Sequence, residues 1–255
     1  MNAQPVDRHQ ALRHAFVTGA ARGLGLAIAR GLAAAGFTVM LADIDGVGAA
    51  QAAEALREQG FDAIPVTLDV RDEAAFTAGF DQAVARWGHI DLMVNNAARG
   101  GSGSLWDVDA AEWDDVLAVN LRGCFFGCRI AGRHMRERGA GRIVNLSSIA
   151  GQQASAASGA HYAASKAGIL ALTRSFAAEL APHGVCVNAL APSAIEGPAL
   201  QGIAEDRRRA LLGATPLGRF GHADDVAAAV VYLAGDGAGF ITGTTLDLNG
   251  GRSMR

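Results

Sequence analysis

Residues 14–34 read HAFVTGAARGLGLAIARGLAA, and the reading of this stretch decides the fold. An apolar run ends at Thr18, glycines follow at 19, 23 and 25, and Leu24, Ile28 and Leu32 then recur at helical spacing. That order predicts a strand, a tight turn and a helix. Glycines suit such a turn because backbone N–H groups can then approach a pyrophosphate at the helix N-terminus. The spacing is GxxxGxG rather than GxGxxG. Alone it marks only a turn, but its place between a first strand and a first helix points to phosphate binding.

Outward from this stretch, strand-like runs alternate with helical ones. The expected strands are 14–19, 37–43, 62–69, 90–95, 142–148, 184–191 and 244–250. Most are continuously apolar, as in strands buried on both faces of a parallel sheet. Ala- and Leu-rich segments separate them, with Val226, Val230 and Leu233 on one face of the last long helix. This pattern predicts an α/β, doubly wound Rossmann fold with a mostly seven-stranded parallel sheet flanked by helices. Residues 1–12 read as a leader and 13–255 as one domain.

Asp43 ends the second strand roughly 20 residues after the glycines, where a carboxylate can accept hydrogen bonds from ribose hydroxyls. A 2′-phosphate would meet a like charge there, so Asp43 favours NAD over NADP. Arg22 pulls the other way, since a cation could pair with that phosphate. The alternative role for Asp43 is a strand-end cap.

The chain has 255 residues, half of them hydrophobic, and a formal net charge of -3. That suits a sizeable core and offers no basic excess for nucleic acid. The basic run Arg207–Arg209 reads as a solvated helix face. Cys124, Cys128 and Cys186 lack metal-ligand spacing, so neither zinc nor a disulfide framework is expected. Cys124 and Cys128 read as small buried residues on one helix face. With no apolar leader and no membrane-length segment, the expectation is a cytoplasmic protein with reduced thiols.

Further motifs follow in order. They are Asp69-Val70, Asn95-Asn96-Ala97-Ala98, Asn120, Ser148 in LSSIAG, Tyr162-Ala163-Ala164-Ser165-Lys166, then Asn188 and Pro192. With the loop Thr18-Gly19-Ala20-Ala21-Arg22-Gly23-Leu24-Gly25, this series resembles the short-chain dehydrogenase/reductase family across residues 14–251. The resemblance implies a cofactor site made by Thr18, Gly19, Arg22, Gly23, Leu24, Gly25, Asp43, Asp69, Val70, Asn96, Ala97, Tyr162, Lys166, Pro192 and Ile195. It implies catalytic roles for Asn120, Ser148, Tyr162 and Lys166, and a homotetramer. Three departures stand out: Ala98 and Ser193 where the family usually has glycine, and Gly197 where a threonine is common.

The chemistry is physically reasonable. Hydride transfer needs a group that exchanges a proton with the substrate oxygen. A free phenol has a pKa of about 10, too high to act as a base near neutrality, but a neighbouring ammonium and the positive nicotinamide ring would favour phenolate and lower it. Tyr162 and Lys166 are spaced i, i+4 and share a helix face. Ser148 would orient the substrate oxygen, and Asn120 could hold a water leading from Lys166 to solvent. The expected reaction interconverts a secondary alcohol and a ketone with NAD. The alternatives are an NAD-retaining epimerase or dehydratase, and a non-catalytic NAD-binding regulator.

A substrate lid is expected within 192–218, with Gly197, Pro198 and Gly213 as hinges. Arg99, Trp106, Gln152, Gln153 and Glu196 are expected near the cleft's edge, and His161 at the surface or an interface. Apolar residues on 112–136 (Trp113, Val116, Leu117, Phe125, Phe126) and 160–181 (Ile169, Leu172, Phe176) are the expected contact surface between copies.

Overall fold

The computed structural model describes residues 13–101, 105–154, 158–197, 200 and 202–254. The expected leader, 1–12, and the expected hinge Pro198 lie outside the described residues. The strands are β1 (Arg13–Thr18), β2 (Phe37–Asp43), β3 (Ala63–Thr67), β4 (Leu92–Asn95), β5 (Gly141–Leu146), β6 (Val185–Pro192) and β7 (Thr245–Leu248). They form one seven-stranded sheet in the order β3-β2-β1-β4-β5-β6-β7, and every pairing is parallel.

The connecting helices are α1 (Gly23–Ala34), α2 (Gly46–Glu58), α3 (Glu73–Trp87), α4 (Ala110–Leu117), α5 (Gly123–Arg138), α6 (Ala160–Leu180), α7 (Glu205–Gly213) and α8 (Ala223–Ala234). Side chains alternate across each strand, so both faces need cover. Ala15 and Val17 pack toward α1, α2 and α8 through Ile28, Leu32, Leu56 and Val230. Phe16, on the opposite face, packs toward α3, α5 and α6 with Phe76, Phe80, Cys128 and Ile169. The doubly wound fold is as expected. Cys124, Cys128 and Cys186 are buried and unpaired.

The sequence predicts one unbroken helix over 112–136. Instead α4 passes through a π-helical turn at Ala118–Arg122 into α5. Such turns insert one residue into the ladder and commonly mark functional positions. This one contains Asn120. Val116 and Ile169, expected on a contact surface, are 0% and 1% exposed and belong to the core. The segment expected to be a lid carries α7, which has no buried residue. Its Arg208 pairs with Glu196 at 3.1 Å and lies over the Phe220 ring at 4.8 Å.

Candidate active site

The sheet order reverses between β1 and β4, and loops leaving the two strands diverge there to open a crevice. The cavity at this edge measures about 840 Å³.

One end is built by the glycine loop. Gly19 and Gly23 have φ of +66° and +57°, which L side chains rarely adopt. A Cβ on Gly25 would lie 1.9 Å from the Gly19 carbonyl oxygen, so only glycine lets the loop fold down onto α1. Arg22, at the N-cap of α1, makes no side-chain capping bond, so the first-turn amides are left to a ligand. An uncapped helix start beneath a close-packed glycine loop fits the diphosphate of a dinucleotide.

Thr18 has a different role from the expected one. It is 2% exposed and does not line the cavity. Its Oγ1 accepts the amides of Asn96 (3.0 Å) and Ala97 (3.1 Å), while Asn96 Nδ2 donates to the carbonyls of Thr18 (2.9 Å) and Gly19 (3.1 Å). Thr18 therefore fastens the two loops together. Gly23 likewise serves the turn without lining the cavity.

Asp43 lines the cavity and also works as a cap. Its Oδ2 accepts Ala21 N and its Oδ1 accepts Asp45 N, each at 2.9 Å. Asp69 and Val70 line the same end. The Asp69 carboxylate is gripped by Arg71 at 2.7–3.0 Å, which holds its pKa below the usual range. Arg71 also reaches Asp115 at 2.7 Å, and Arg99 pairs with that carboxylate from the other side.

The other end carries Ser148, Tyr162 and Lys166, with Pro192 and Ile195. Gly221 N donates to the Ala194 carbonyl at 3.0 Å, and Glu196 N donates to the Gly221 carbonyl at 2.7 Å. In extended chain this leaves the amide of Ile195 on the opposite edge, available to a ligand. Lys166 is 2% exposed, and its Nζ donates to the Leu146 carbonyl at 2.7 Å. Burial lowers its pKa to about 8. Nζ lies 5.6 Å from the centre of the Tyr162 ring.

The lowering of the Tyr162 phenol pKa expected from Lys166 and a nicotinamide cation together is not supplied by Lys166 alone in the cofactor-free protein. Burial raises the pKa above 10, and a hydrogen bond with Ser148 offsets only part of that rise. Desolvation acts on phenol and ammonium together, driving both toward their neutral forms.

Asn120 is brought close to α6 but does not line the cavity. It is 1% exposed. Its Oδ1 accepts Arg99 N (2.7 Å), and its Nδ2 donates to Arg99 O (3.0 Å) and Ser165 Oγ (3.0 Å). The carboxamide thus holds the loop after β4 against α6.

His161, expected at the surface or an interface, is 0% exposed. It is enclosed by Gly101 and Gly159, where an added Cβ would fall 2.2 and 2.3 Å from its ring, and its Nε2 lies 3.2 Å from Glu112 Oε1. Gln152 donates to Asp247 at 2.6 Å, Gln153 is exposed, and Trp106 is 91% exposed and lines no part of the cavity. Arg71, Asp115, Ser193 and Arg252 line the cavity, although no motif in the sequence singled out Arg71, Asp115 or Arg252. The Asn-Gly-Gly turn signal before Arg252 was the available clue to the last.

Comparison with known proteins places the fold in a family. A family model described as Enoyl-(Acyl carrier protein) reductase matches residues 19–253. The chain is 40% identical to the cis-4-hydroxycyclohexanecarboxylate dehydrogenase of Sinomonas cyclohexanicum, over 94% of this chain and 96% of that one. It is 37% identical to the 3-oxoacyl-[acyl-carrier-protein] reductase FabG of Staphylococcus aureus, over 95% and 98%. Among solved structures, that of gox2181 superposes with a TM-score of 0.90 at 35% identity, covering 94% of this chain and 95% of the other.

The buried lysine has a measurable consequence. Between about pH 8 and its ordinary 10.5, the unfolded chain holds a proton on Lys166 that the folded chain has shed. Stability therefore rises with pH through that window, and the full penalty applies below it. The shift corresponds to about 3 kcal/mol, against about 1–3 kcal/mol for stranding the Leu146 carbonyl. Lys166→Met should make the cofactor-free protein up to about 2 kcal/mol more stable at pH 7 and flatten the rise above pH 8. Urea unfolding at pH 7 and pH 9 checks this, and a variant less stable than its parent at pH 7 contradicts it.

Proposed function

The chain belongs to the short-chain dehydrogenase/reductase family of oxidoreductases, and on that footing we propose that it interconverts a secondary alcohol and its ketone with NAD(H). The observation that carries this reading is one cavity with an uncapped helix start at one end and Ser148, Tyr162 and Lys166 together at the other.

Gly19, Arg22, Leu24 and Gly25 would hold the diphosphate, Asp43 the adenosine ribose, and Asp69 and Val70 the adenine. Asn96, Ala97, Pro192 and Ile195 would border the nicotinamide half, with Lys166 on its ribose. The cofactor, when bound, supplies or takes up the hydride.

The chain's own part is proton transfer and positioning. In ketone reduction Tyr162 gives its phenolic proton to the substrate oxygen, and in alcohol oxidation it takes that proton back. A phenol is neutral near pH 7, and burial, which raises its pKa further, keeps the proton in place for reduction. As the proton leaves, the ammonium of Lys166 stabilises the phenolate through the low-dielectric interior. Ser148 Oγ orients the oxygen that Tyr162 protonates. Asn120 acts as a positioning residue, tying Arg99 to Ser165, whose Oγ donates to the Tyr162 carbonyl at 2.7 Å.

We also propose that the protein is a cytoplasmic homotetramer. No helix among the described residues is long and apolar enough to cross a membrane. Half-buried Leu117, Phe125 and Leu172, with Trp113 at 39% exposure, lie on α4, α5 and α6. Leu117, Phe125 and Leu172 line a groove of about 930 Å³ there. A second copy would cover that apolar face. Light scattering at micromolar concentration should give four times the chain mass, and a monomeric mass rejects the assembly.

Tyr162→Phe keeps the ring and removes the transferable proton. Turnover should fall by about 10²–10⁴-fold while NAD affinity changes little. Near-parental turnover on an established substrate would show that Tyr162 is not the proton donor.

Asp43 should make NAD bind more tightly than NADP. Asp43→Ala should narrow that preference by about 1–3 kcal/mol and weaken both cofactors, because the amides of Ala21 and Asp45 lose their acceptor. Paired dissociation constants decide this, and equal or tighter NADP binding by the parent rejects it.

A further inference from the structure

Four guanidinium groups line the cavity: Arg22, Arg71, Arg99 and Arg252. Three have carboxylate partners. Arg22 lies 3.5 Å from Asp45, Arg71 lies 2.7 Å from both Asp69 and Asp115, and Arg99 pairs with Asp115. Arg252 has no carboxylate within ion-pair distance among the described residues. Its side-chain bond is from Nη1 to Ser193 Oγ, at 3.3 Å.

The chain is bent to bring Arg252 there. Leu248 pairs with Pro192 at the end of β7, and its carbonyl accepts Ser193 N at 3.0 Å. The chain then turns through Gly250 and Gly251, with φ of +61° and +86°. A Cβ on Gly250 would fall 2.6 Å from Thr215 Cγ2, so the turn is both left-handed and tightly packed. Asn249, 7% exposed, clamps it. Its Oδ1 accepts Gly251 N (2.9 Å), its Nδ2 donates to Ser253 O (2.8 Å), and its carbonyl accepts Arg252 N (3.1 Å). The turn sets a half-buried guanidinium on the wall that carries Ser193, Ile195 and Leu200, in the cavity shared by Ser148 and Tyr162.

A partly desolvated guanidinium is stabilised by an anionic partner, and its planar fork matches a carboxylate. Ser193 replaces a glycine expected from the family pattern, and its hydroxyl is what Arg252 touches. We infer that Arg252, held by Ser193, is a specificity-determining residue that binds a carboxylate on the substrate, so that the protein's substrates are hydroxy acids and keto acids. This rests on the alcohol–ketone reading above. The other anion within reach of such a cavity is a cofactor phosphate, and the experiment separates the two.

The test pairs turnover with direct binding. Secondary hydroxy acids of four to eight carbons and their primary amides are compared as substrates with NAD, in the parent and in Arg252→Gln, Arg252→Lys and Ser193→Gly. The parent should prefer acid over amide by about 30-fold or more in kcat/KM, mostly through KM, the scale of a charge-assisted contact. Arg252→Gln should bring the ratio within about threefold, Arg252→Lys should restore part of it, and Ser193→Gly should give an intermediate ratio.

Separately, hexanoate and hexanamide are titrated calorimetrically into the NAD-loaded protein. Hexanoate should bind the more tightly, and that preference should vanish in Arg252→Gln. This arm reads the site without turnover, so loss of the alcohol–ketone reading alone leaves it intact. The inference is overturned if the parent binds or turns over amides as well as acids. It is equally overturned if Arg252→Gln keeps the acid preference and weakens NAD instead, which assigns the guanidinium to a cofactor phosphate.

Discussion

Two side chains at the point where the sheet order reverses hold this site together. Thr18 Oγ1 takes the amides of Asn96 and Ala97, and Asn96 Nδ2 reaches the carbonyls of Thr18 and Gly19. Beyond the last ladder bonds of β1 and β4, the loops leaving the two strands would otherwise strand buried polar groups there. The reciprocal bonds satisfy those groups and fix the distance between the loops. Gly25 completes the constraint, because a side chain there would push the Gly19 carbonyl away. The glycine loop on one side and the loop through Arg99 on the other take their positions from this clasp. Asn120 extends it to α6, and so to Tyr162.

The electrostatics follow from burial. Lys166 loses water and gains one carbonyl acceptor, which is poor compensation for a charge. The fold bears that penalty because α6 is anchored along its length, with Ile169, Thr173 and Ala177 all in the core. A site dry enough to lower a lysine and raise a tyrosine is also one in which a single proton or charge has a large effect. In the proposed reaction, stability at neutral pH and reactivity at the substrate oxygen would therefore oppose each other at Lys166. Of the acidic side chains that line the cavity, Asp69 and Asp115 are engaged with arginines, and Asp43 accepts two backbone amides. Among the described residues, Arg252 faces the cavity without a carboxylate partner.

Much of the site was legible because its signals are local. Gly19, Gly23 and Gly25 announce a turn whatever packs above them. Tyr162 and Lys166 share a face by helix geometry alone. Asp43 sits at a strand end by count. Expectations failed where a role depends on a neighbour distant in the chain. Thr18 and Asn120 are buried fasteners because their partners come from β4 and α6. His161 is enclosed because two glycines leave room for its ring. Val116 and Ile169 looked like contact surface because one helix's periodicity does not say how many neighbours it has.

The sequence by itself determined the order of strands and helices, the doubly wound class and the positions of the glycine turn and the Tyr162–Lys166 pair. Each of these is set by hydrophobic period or by the backbone freedom of single residues, which act over a few positions. Only the tertiary structure decided which carboxylates are already engaged, which way the phenol and ammonium shift, and that Arg252 returns to the cavity of Tyr162. Those outcomes depend on desolvation and on charges separated by tens to hundreds of residues along the chain, and such terms exist only once the sheet has closed over them.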